Sequence, residues 1–423
     1  MSDARWLDRT LEVRLGNPGH GGFCVARHDG RVVFVRHGLP GELVRAVVTE
    51  DRGGSFCRAD AIGIIEASPD RVPALCPVAG PGGAGCCDFS HATLAAQRAI
   101  KAGVVTEQLH RVAGLDVEVS VEEIAGTGDG GGWRTRLRLT VDDEGRPGVH
   151  RYRSSDVITD LRCPQPVSGA VDGLESLDWR RGSEIQVVVD SDGERHLVEL
   201  APANVSKTGK RSPGRRGAMA RRAAVGGPRA ERIVAGNGKA VQRVGDREWR
   251  VGATGFWQAH SGAAQEYSRV VAEWADASPG AVAWDLYCGA GVFAAALAEQ
   301  VGPSGRVAGV ESYGAAVADG MRALTDLPQV ELAAQRVERA IPELPAGPEV
   351  VLLDPPRAGA GREVIAAVAQ QNPKRIVHIG CDPASFARDV SLYGAAGYRL
   401  EQVRAFDAFP LTHHVECIGL LVR

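Results

Sequence analysis

The sequence predicts an α/β protein with a β-rich N-terminal half, and three observations predict it. From about residue 251, apolar strand-like runs such as VAWDLYCGAGVF, GRVAGVES, PEVVLLDPPR and KRIVHIGCDP alternate with Ala-rich helix-like stretches. That alternation means a parallel or mostly parallel doubly wound sheet, a Rossmann-like arrangement. Residues 8–66 instead hold short β-branched runs separated by Gly and Pro. Finally, 423 residues exceed one ordinary core, so two or three domains are expected.

Taken in order, LEVRLG, GRVVFVRHG, ELVRAVVTED and CRADAIGIIEAS within residues 1–66 have the pattern of a small five-stranded, OB-like barrel. Such barrels often hold RNA or oligonucleotides. A structural appendage is the plainer alternative. Residues 67–92 are rich in Pro, Gly and Cys (SPDRVPALCPVAGPGGAGCCDFSH) and exclude a regular helix or strand. Residues 93–250 form a central mixed, mainly β domain. Helical periodicity in HATLAAQRAIKAGVVTEQLHRVAG opens it, and GWRTRLRLTVD, VITDLRC, SEIQVVVDSDG and RHLVEL follow as strands. Within it, Lys207–Arg232 holds nine Lys or Arg against one Glu. A loop so charged either binds phosphates by counterion release or is a solvated insertion. Residues 251–423 complete the chain.

Composition narrows the function classes only a little. Apolar residues make up 44%, enough for packed interiors, and the formal net charge of −3 neither demands nor excludes a nucleic-acid partner. No run reaches the ~20 apolar residues that span a bilayer, and the N-terminus lacks a signal-peptide core. A soluble cytoplasmic protein, with no membrane partner and monomeric, is expected. Its nine cysteines are an odd number, which argues against a disulfide framework and for buried, metal-bound or catalytic thiols.

The chemistry collects at strand ends. Asp285-Leu286-Tyr287-Cys288-Gly289-Ala290-Gly291 follows an apolar strand and opens a helix. Gly289 and Gly291 permit a tight turn and a close backbone approach to a ligand. The next strand ends in Glu311, where a carboxylate accepts both hydroxyls of a ribose. The third glycine of a dinucleotide fingerprint is missing, which favours a single adenosine without pyrophosphate. Asp354, Pro355 and Pro356 rigidify the following strand exit. Cys381 ends the strand after that. An isolated cysteine is usually a buried hydrophobe, but this one faces the same crevice as the glycine turn. Glu416 leads into the last apolar strand, either as a functional group or as a salt-bridge partner. His413 and His414 precede it; neighbouring residues on a strand point apart, so structural or RNA-contacting roles are preferred over metal binding.

The ordered set FWQ, DLYCGAGVF, VES, DPPRAG, GCDPASFARD and HHVEC resembles the RNA uridine-C5 methyltransferases that carry an N-terminal TRAM barrel. The resemblance covers nearly the whole chain. It implies S-adenosylmethionine as cofactor and RNA, ribosomal or transfer, as partner. It implies Cys381 as nucleophile and Glu416 as base. Gln258, Tyr287, Glu311 and Asp354 are implied to contact the cofactor or hold the site. The chemistry is coherent with these groups. Carbon 5 of uracil is a poor nucleophile until a thiolate adds to carbon 6, and a base must then remove the carbon-5 proton. The cysteine needs a depressed pKa or a neighbouring base.

Two departures stand out. Val292 occupies a cofactor-contacting position where some members carry Asn. Many members also bind a 4Fe–4S cluster through Cys, Cys-Gly-Gly-Cys and a distant Cys-Pro. Here Ala84 replaces one ligand, and Cys86 is extra, leaving Cys76, Cys86, Cys87 and Cys163. Four thiolates suffice for a cluster; zinc or a cluster-free relic are the alternatives. Against the uridine reading stand a cytosine-C5 enzyme and a non-catalytic RNA-binding protein.

Overall fold

The computed structural model describes residues 5–203 and 229–423. Most of the basic stretch, residues 207–228, lies outside the described residues. Thr10–Arg14, Leu43–Glu50, Phe56–Glu66, Arg31–Arg36 and Phe23–His28 pair in that order, and the two-residue strand Pro18–Gly19 makes a sixth. Phe23–His28 is the fifth barrel strand, absent from the four runs read in the sequence. The sheet closes on itself where the Gly16 N–H donates to Val25 O and the Val25 N–H donates to Asn17 O. Alternate residues such as Val33, Val35, Val44 and Ala46 fill its interior. Cys24 and Cys57 lie in that core as small hydrophobes, and burial pushes the Cys24 thiol up to about 12.

As expected, the Cys-rich segment forms no helix or strand. It leads into the helix Leu94–Gln108, capped by Thr93, whose side chain accepts from the Ala96 N–H. A π turn, Leu109–Ala113, ends at Gly114 with φ 68. This helix and the strand Val121–Glu123, grouped by sequence with the central region, pack on the C-terminal sheet through Val105, Leu109, Phe386 and Val390. The central sheet itself runs Val157–Ile158, Pro147–His150, Arg136–Val141, Glu184–Val189, Arg195–Leu200, Glu231–Ala235. Only Val157 and Ile158 of the VITDLRC run are strand.

The C-terminal sheet has eight strands in the order Val330–Ala334, Arg306–Glu311, Val282–Leu286, Val350–Leu353, Arg375–Gly380, Glu416–Val422, Arg399–Asp407, Val121–Glu123. Its first five are parallel and buried on both faces, which explains their unbroken apolar runs. Helices Ala263–Ala275 and Val292–Val301 cover one face; Gly361–Gln370 and Pro383–Ala395 cover the other. The order reverses between Val282–Leu286 and Val350–Leu353, so a crevice opens outside their carboxyl ends. Glu416–Val422 runs antiparallel, with Cys417 opposite Gly380. Its first residue therefore lies at the edge where its parallel neighbours finish.

Candidate active site

That edge encloses a cavity of about 660 Å³, in the range that buries a nucleoside-sized ligand. Gln258, Tyr287, Gly289, Glu311, Asp354, Cys381 and Glu416 all line it, together with Val292. Gly291 does not reach the wall. It works from behind: at φ 73, an added Cβ would lie 2.9 Å from Leu324 and 3.1 Å from Leu332. Tyr287, a non-glycine residue at φ 65, carries the strain of the same turn. The turn is braced by the Trp249 indole, which donates to Ala290 O at 3.0 Å. Glu311 is oriented by the Tyr313 N–H at 2.7 Å and the Gly289 N–H at 3.3 Å.

The strand ends that carry Asp354 and Cys381 are clamped. Asp382 caps the helix Pro383–Ala395 by accepting from the Ser385 N–H at 2.9 Å, with Pro383 in the first turn. That helix also holds the loop after Asp354. Ser385 Oγ donates to Arg357 O at 2.9 Å, the Arg388 guanidinium to Ala358 O at 2.6 Å, and the Ala360 N–H to Asp389 Oδ2 at 2.6 Å. On the other side, Lys101 Nζ donates to Asp407 Oδ1 at 2.5 Å and to Phe409 O at 3.0 Å. The Leu411 N–H donates to Gln97 Oε1 at 2.8 Å. Helix Leu94–Gln108 thus fixes the segment that delivers Glu416.

Electrostatics set the resting protonation. Burial, then the Glu416 and Asp354 charges, push the Cys381 thiol up to about 12, against the pull of Arg357. Burial, then the Glu311 charge, lifts Asp354 to about 7. Burial, then Asp354, raises Glu416 well above the carboxylate range. Burial, then Asp354, also lifts Asp285 to about 8. Several buried carboxyls around one cavity form a site whose ionised state is favoured by an arriving cation. With burial and two carboxyls holding it up, the Cys381 thiol would need a neighbouring base to act as a nucleophile.

The expectation that His413 and His414 point apart is corrected. They lie in a turn before the last strand, with ring centroids 4.1 Å apart. His413 Nδ1 is 2.5 Å from Asp88 Oδ2. His414 lines the cavity and faces Arg357 at 3.4 Å; burial, then His413 and Arg357, lowers it to about 3, so it is neutral at pH 7. Sequence reasoning assigned no role to Arg357, Phe256 or Tyr313, which also line the cavity. The arginine of DPPR was the available signal for the first; the exposure of the two rings had none.

The four cysteines of the expected cluster come together from segments far apart in the chain. The Cys87 thiol lies beside those of Cys76, Cys86 and Cys163. Gln165 Nε2 donates to Cys87 Sγ at 3.1 Å. Cys76 and Cys87 also pack on Leu411, so the cluster of thiols abuts the segment leading to Glu416. Among the described residues, no helix is long and apolar enough to cross a membrane.

Comparison with known proteins agrees with this layout. Residues 346–423 match the tRNA (uracil-5-)-methyltransferase family, and residues 8–61 match the TRAM domain. An RNA methyltransferase of Corynebacterium efficiens is 40% identical over 98% of this chain and 95% of its own. The 23S rRNA (uracil(1939)-C(5))-methyltransferase RlmD of Alkalilimnicola ehrlichii is 32% identical over 98% of this chain and 96% of its own. The fold is that of the Pyrococcus abyssi tRNA (uracil-54, C5)-methyltransferase in complex with S-adenosyl-L-homocysteine, with TM-score 0.70 and 20% identity over 97% of this chain and 100% of that one. The chain belongs to the S-adenosylmethionine-dependent RNA (uracil-C5)-methyltransferases.

Proposed function

We propose that this enzyme methylates carbon 5 of a uridine in ribosomal or transfer RNA through a covalent adduct on Cys381. The observation that carries the reading is the meeting of Cys381, Glu416 and the glycine turn around one cavity. S-adenosylmethionine, when bound, supplies an electrophilic methyl group. The residues fit it: Glu311 is held at a strand end suited to a ribose, Gly289 leaves the backbone open, and the buried carboxyls suit a cationic sulfonium. Gln258 and Tyr287 wall the same pocket.

Cys381 Sγ bonds to carbon 6 of uracil, its proton leaving to a neighbouring carboxylate. The electron pair of the 5,6 double bond moves onto carbon 5 and O4, and carbon 5 becomes nucleophilic. Once carbon 5 is methylated, the Glu416 carboxylate takes its proton. The double bond reforms, the carbon 6–sulfur bond breaks and the thiolate returns. The target base must be out of its stack for Cys381 to reach it.

The test uses RNA carrying tritium at carbon 5 of uracil or of cytosine. Release from uracil alone, abolished in Cys381→Ala while S-adenosylmethionine binding persists, is the expected result. Release from cytosine, or turnover by the variant, contradicts the reading. Mass spectrometry of 23S rRNA and tRNA from cells with and without the protein identifies the substrate. The relatives named for 23S rRNA, at 32% and 30% identity, make ribosomal RNA the first to examine.

We further propose that Cys76, Cys86, Cys87 and Cys163 hold a 4Fe–4S cluster. Its support is the donor set: four thiols gathered together, three of which, Cys86, Cys87 and Cys163, lie near Arg134, whose charge suits thiolates. Such a cluster would tie the Cys-rich segment to the central region at Cys163. Anaerobically purified protein should contain iron and acid-labile sulfide, both lost in Cys87→Ser. Zinc, or no metal, overturns the assignment.

A further inference from the structure

Tyr267 is a buried tyrosine to which the catalytic scheme gives no task. It lies on helix Ala263–Ala275 and is fully buried in the core beneath the C-terminal sheet. Its hydroxyl finds no hydrogen-bond partner among the described residues. An unpaired buried hydroxyl destabilises a fold, and a phenylalanine would fill the same space without that penalty. The hydroxyl therefore adds nothing to the resting core and is available to another state of the site.

Its position points to that state. Ala264, one turn earlier on the helix, lines the catalytic cavity, and residues three apart share a helix face. The Tyr267 ring packs on Phe406, with centroids 5.8 Å apart. Phe406 pairs directly with Glu416 across the last two antiparallel strands. Side chains directly opposite in such a pair stand on one face of the sheet. Tyr267 and Glu416 thus approach the same place, one from the helix and one from the sheet. Burial, then the charges of Glu416, Asp354 and Cys381, push the Tyr267 hydroxyl well above the usual tyrosine range. It keeps its proton and remains a donor.

We propose that Tyr267 is a positioning residue for Glu416: its hydroxyl donates to one oxygen of the ionised carboxylate while the other oxygen takes the carbon-5 proton. The proposal rests on the reading of Glu416 as the base. The titratable and charged groups around Glu416 are Asp354 and Arg357 at one strand end, Cys381 at the next, His414 and Cys417 on its own segment, and Tyr267. Burial, then Asp354, favours the protonated carboxyl, against the pull of Arg357. A sulfonium in the cavity favours the ionised form. That positive charge is gone once the methyl group has moved, just before the carboxylate must collect a proton. A hydrogen bond to the charged form favours it without adding a charge. Tyr267 keeps its own proton throughout, and the carbon-5 proton ends on Glu416.

The test follows single turnovers of full-length Tyr267→Phe, which keeps the ring and loses only the hydroxyl. The substrate is total RNA from cells lacking the protein, with tritium at carbon 5 of uracil, and S-adenosylmethionine carries a labelled methyl group. Methyl label reaching RNA, free or protein-bound, reports the transfer; tritium release reports the proton step. Transfer should stay within about twofold of the unchanged protein, while release slows about tenfold and a protein–RNA adduct accumulates. The acid limb of release should move up by about one pH unit, because the carboxylate has lost a donor to its charged form. Thermal unfolding should occur at the unchanged midpoint or above it. Equal slowing of both steps, release at the unchanged rate, or a lowered midpoint overturns the proposal. Unaltered release in Tyr267→Phe beside a trapped adduct in Glu416→Gln overturns it alone. Unaltered release in Glu416→Gln overturns the base assignment and the proposal with it.

Discussion

A single thiol shows how much the environment of a residue decides. Cys381 was legible as a candidate because it ends a strand beside Asp382 and Pro383, but its protonation was not, since no spacing rule reports burial. The structure holds the thiol near 12, with burial as the largest cause and two carboxyls adding to it. In the free enzyme it is protonated at pH 7. Peptide-resolved alkylation of Cys381 by iodoacetamide should accordingly be slow, rising about tenfold per pH unit from 7 to 10 without levelling off. A plateau below pH 9 would show a thiolate already formed. Arg357 was missed as a site residue for a related reason. An arginine after two prolines reads as a turn until a fold brings His414 and Cys381 to it.

At the scale of elements, the parallel strands and the glycine turn were readable because burial on both faces leaves a long apolar signature. The strand Phe23–His28 was harder to see, since its sequence FCVARH shows no apolar–polar alternation: half-buried Phe23 and Val25 alternate with buried Cys24 and Ala26, and all four are apolar. The role of helix Pro383–Ala395 as a clamp was invisible too, because its partners lie 28 to 30 residues away in the chain. It grips three consecutive groups of the Arg357–Ala360 loop, and Asp389 is fully buried there. Gly359, at φ 76, lies so close that an added Cβ would be 2.3 Å from Asp389 Oδ2. Asp389→Ala should lower kcat ten- to a hundredfold with little change in S-adenosylmethionine affinity. Asp389→Asn, which keeps an acceptor for the Ala360 N–H, should recover most of it. Equal loss in both variants, or loss of cofactor binding, would contradict a positioning role.

Across the whole molecule, the domains are joined at the site rather than by linkers alone. Asp88, from the Cys-rich segment, pairs with Arg36 of the barrel at 2.5 Å and with His413 beside the final strand. Both Arg36 and Asp88 are 3% exposed, so neither charge can turn to water. Truncating one member of such a pair leaves the other buried and unpaired, at a cost of about 3–5 kcal/mol. Denaturant unfolding should show that loss in Asp88→Ala, and a smaller one in the double variant Arg36→Ala/Asp88→Ala. An undiminished loss in the double variant would assign the effect to something other than the stranded charge. The fold class was legible in the sequence, but these junctions were not, because long-range ion pairs leave no local pattern. Helix Leu94–Gln108 is the clearest case: its periodicity revealed a helix, not that Lys101 and Gln97 hold the segment before Glu416.

The central claim is the covalent adduct, and Glu416→Gln addresses it most directly. The substitution keeps a neutral, similarly shaped side chain where burial already disfavours charge, but removes the base. Incubated with S-adenosylmethionine and RNA, this variant should accumulate a protein–RNA species that survives a denaturing gel and vanishes in Cys381→Ala/Glu416→Gln. No such species, or one that persists without Cys381, contradicts the mechanism.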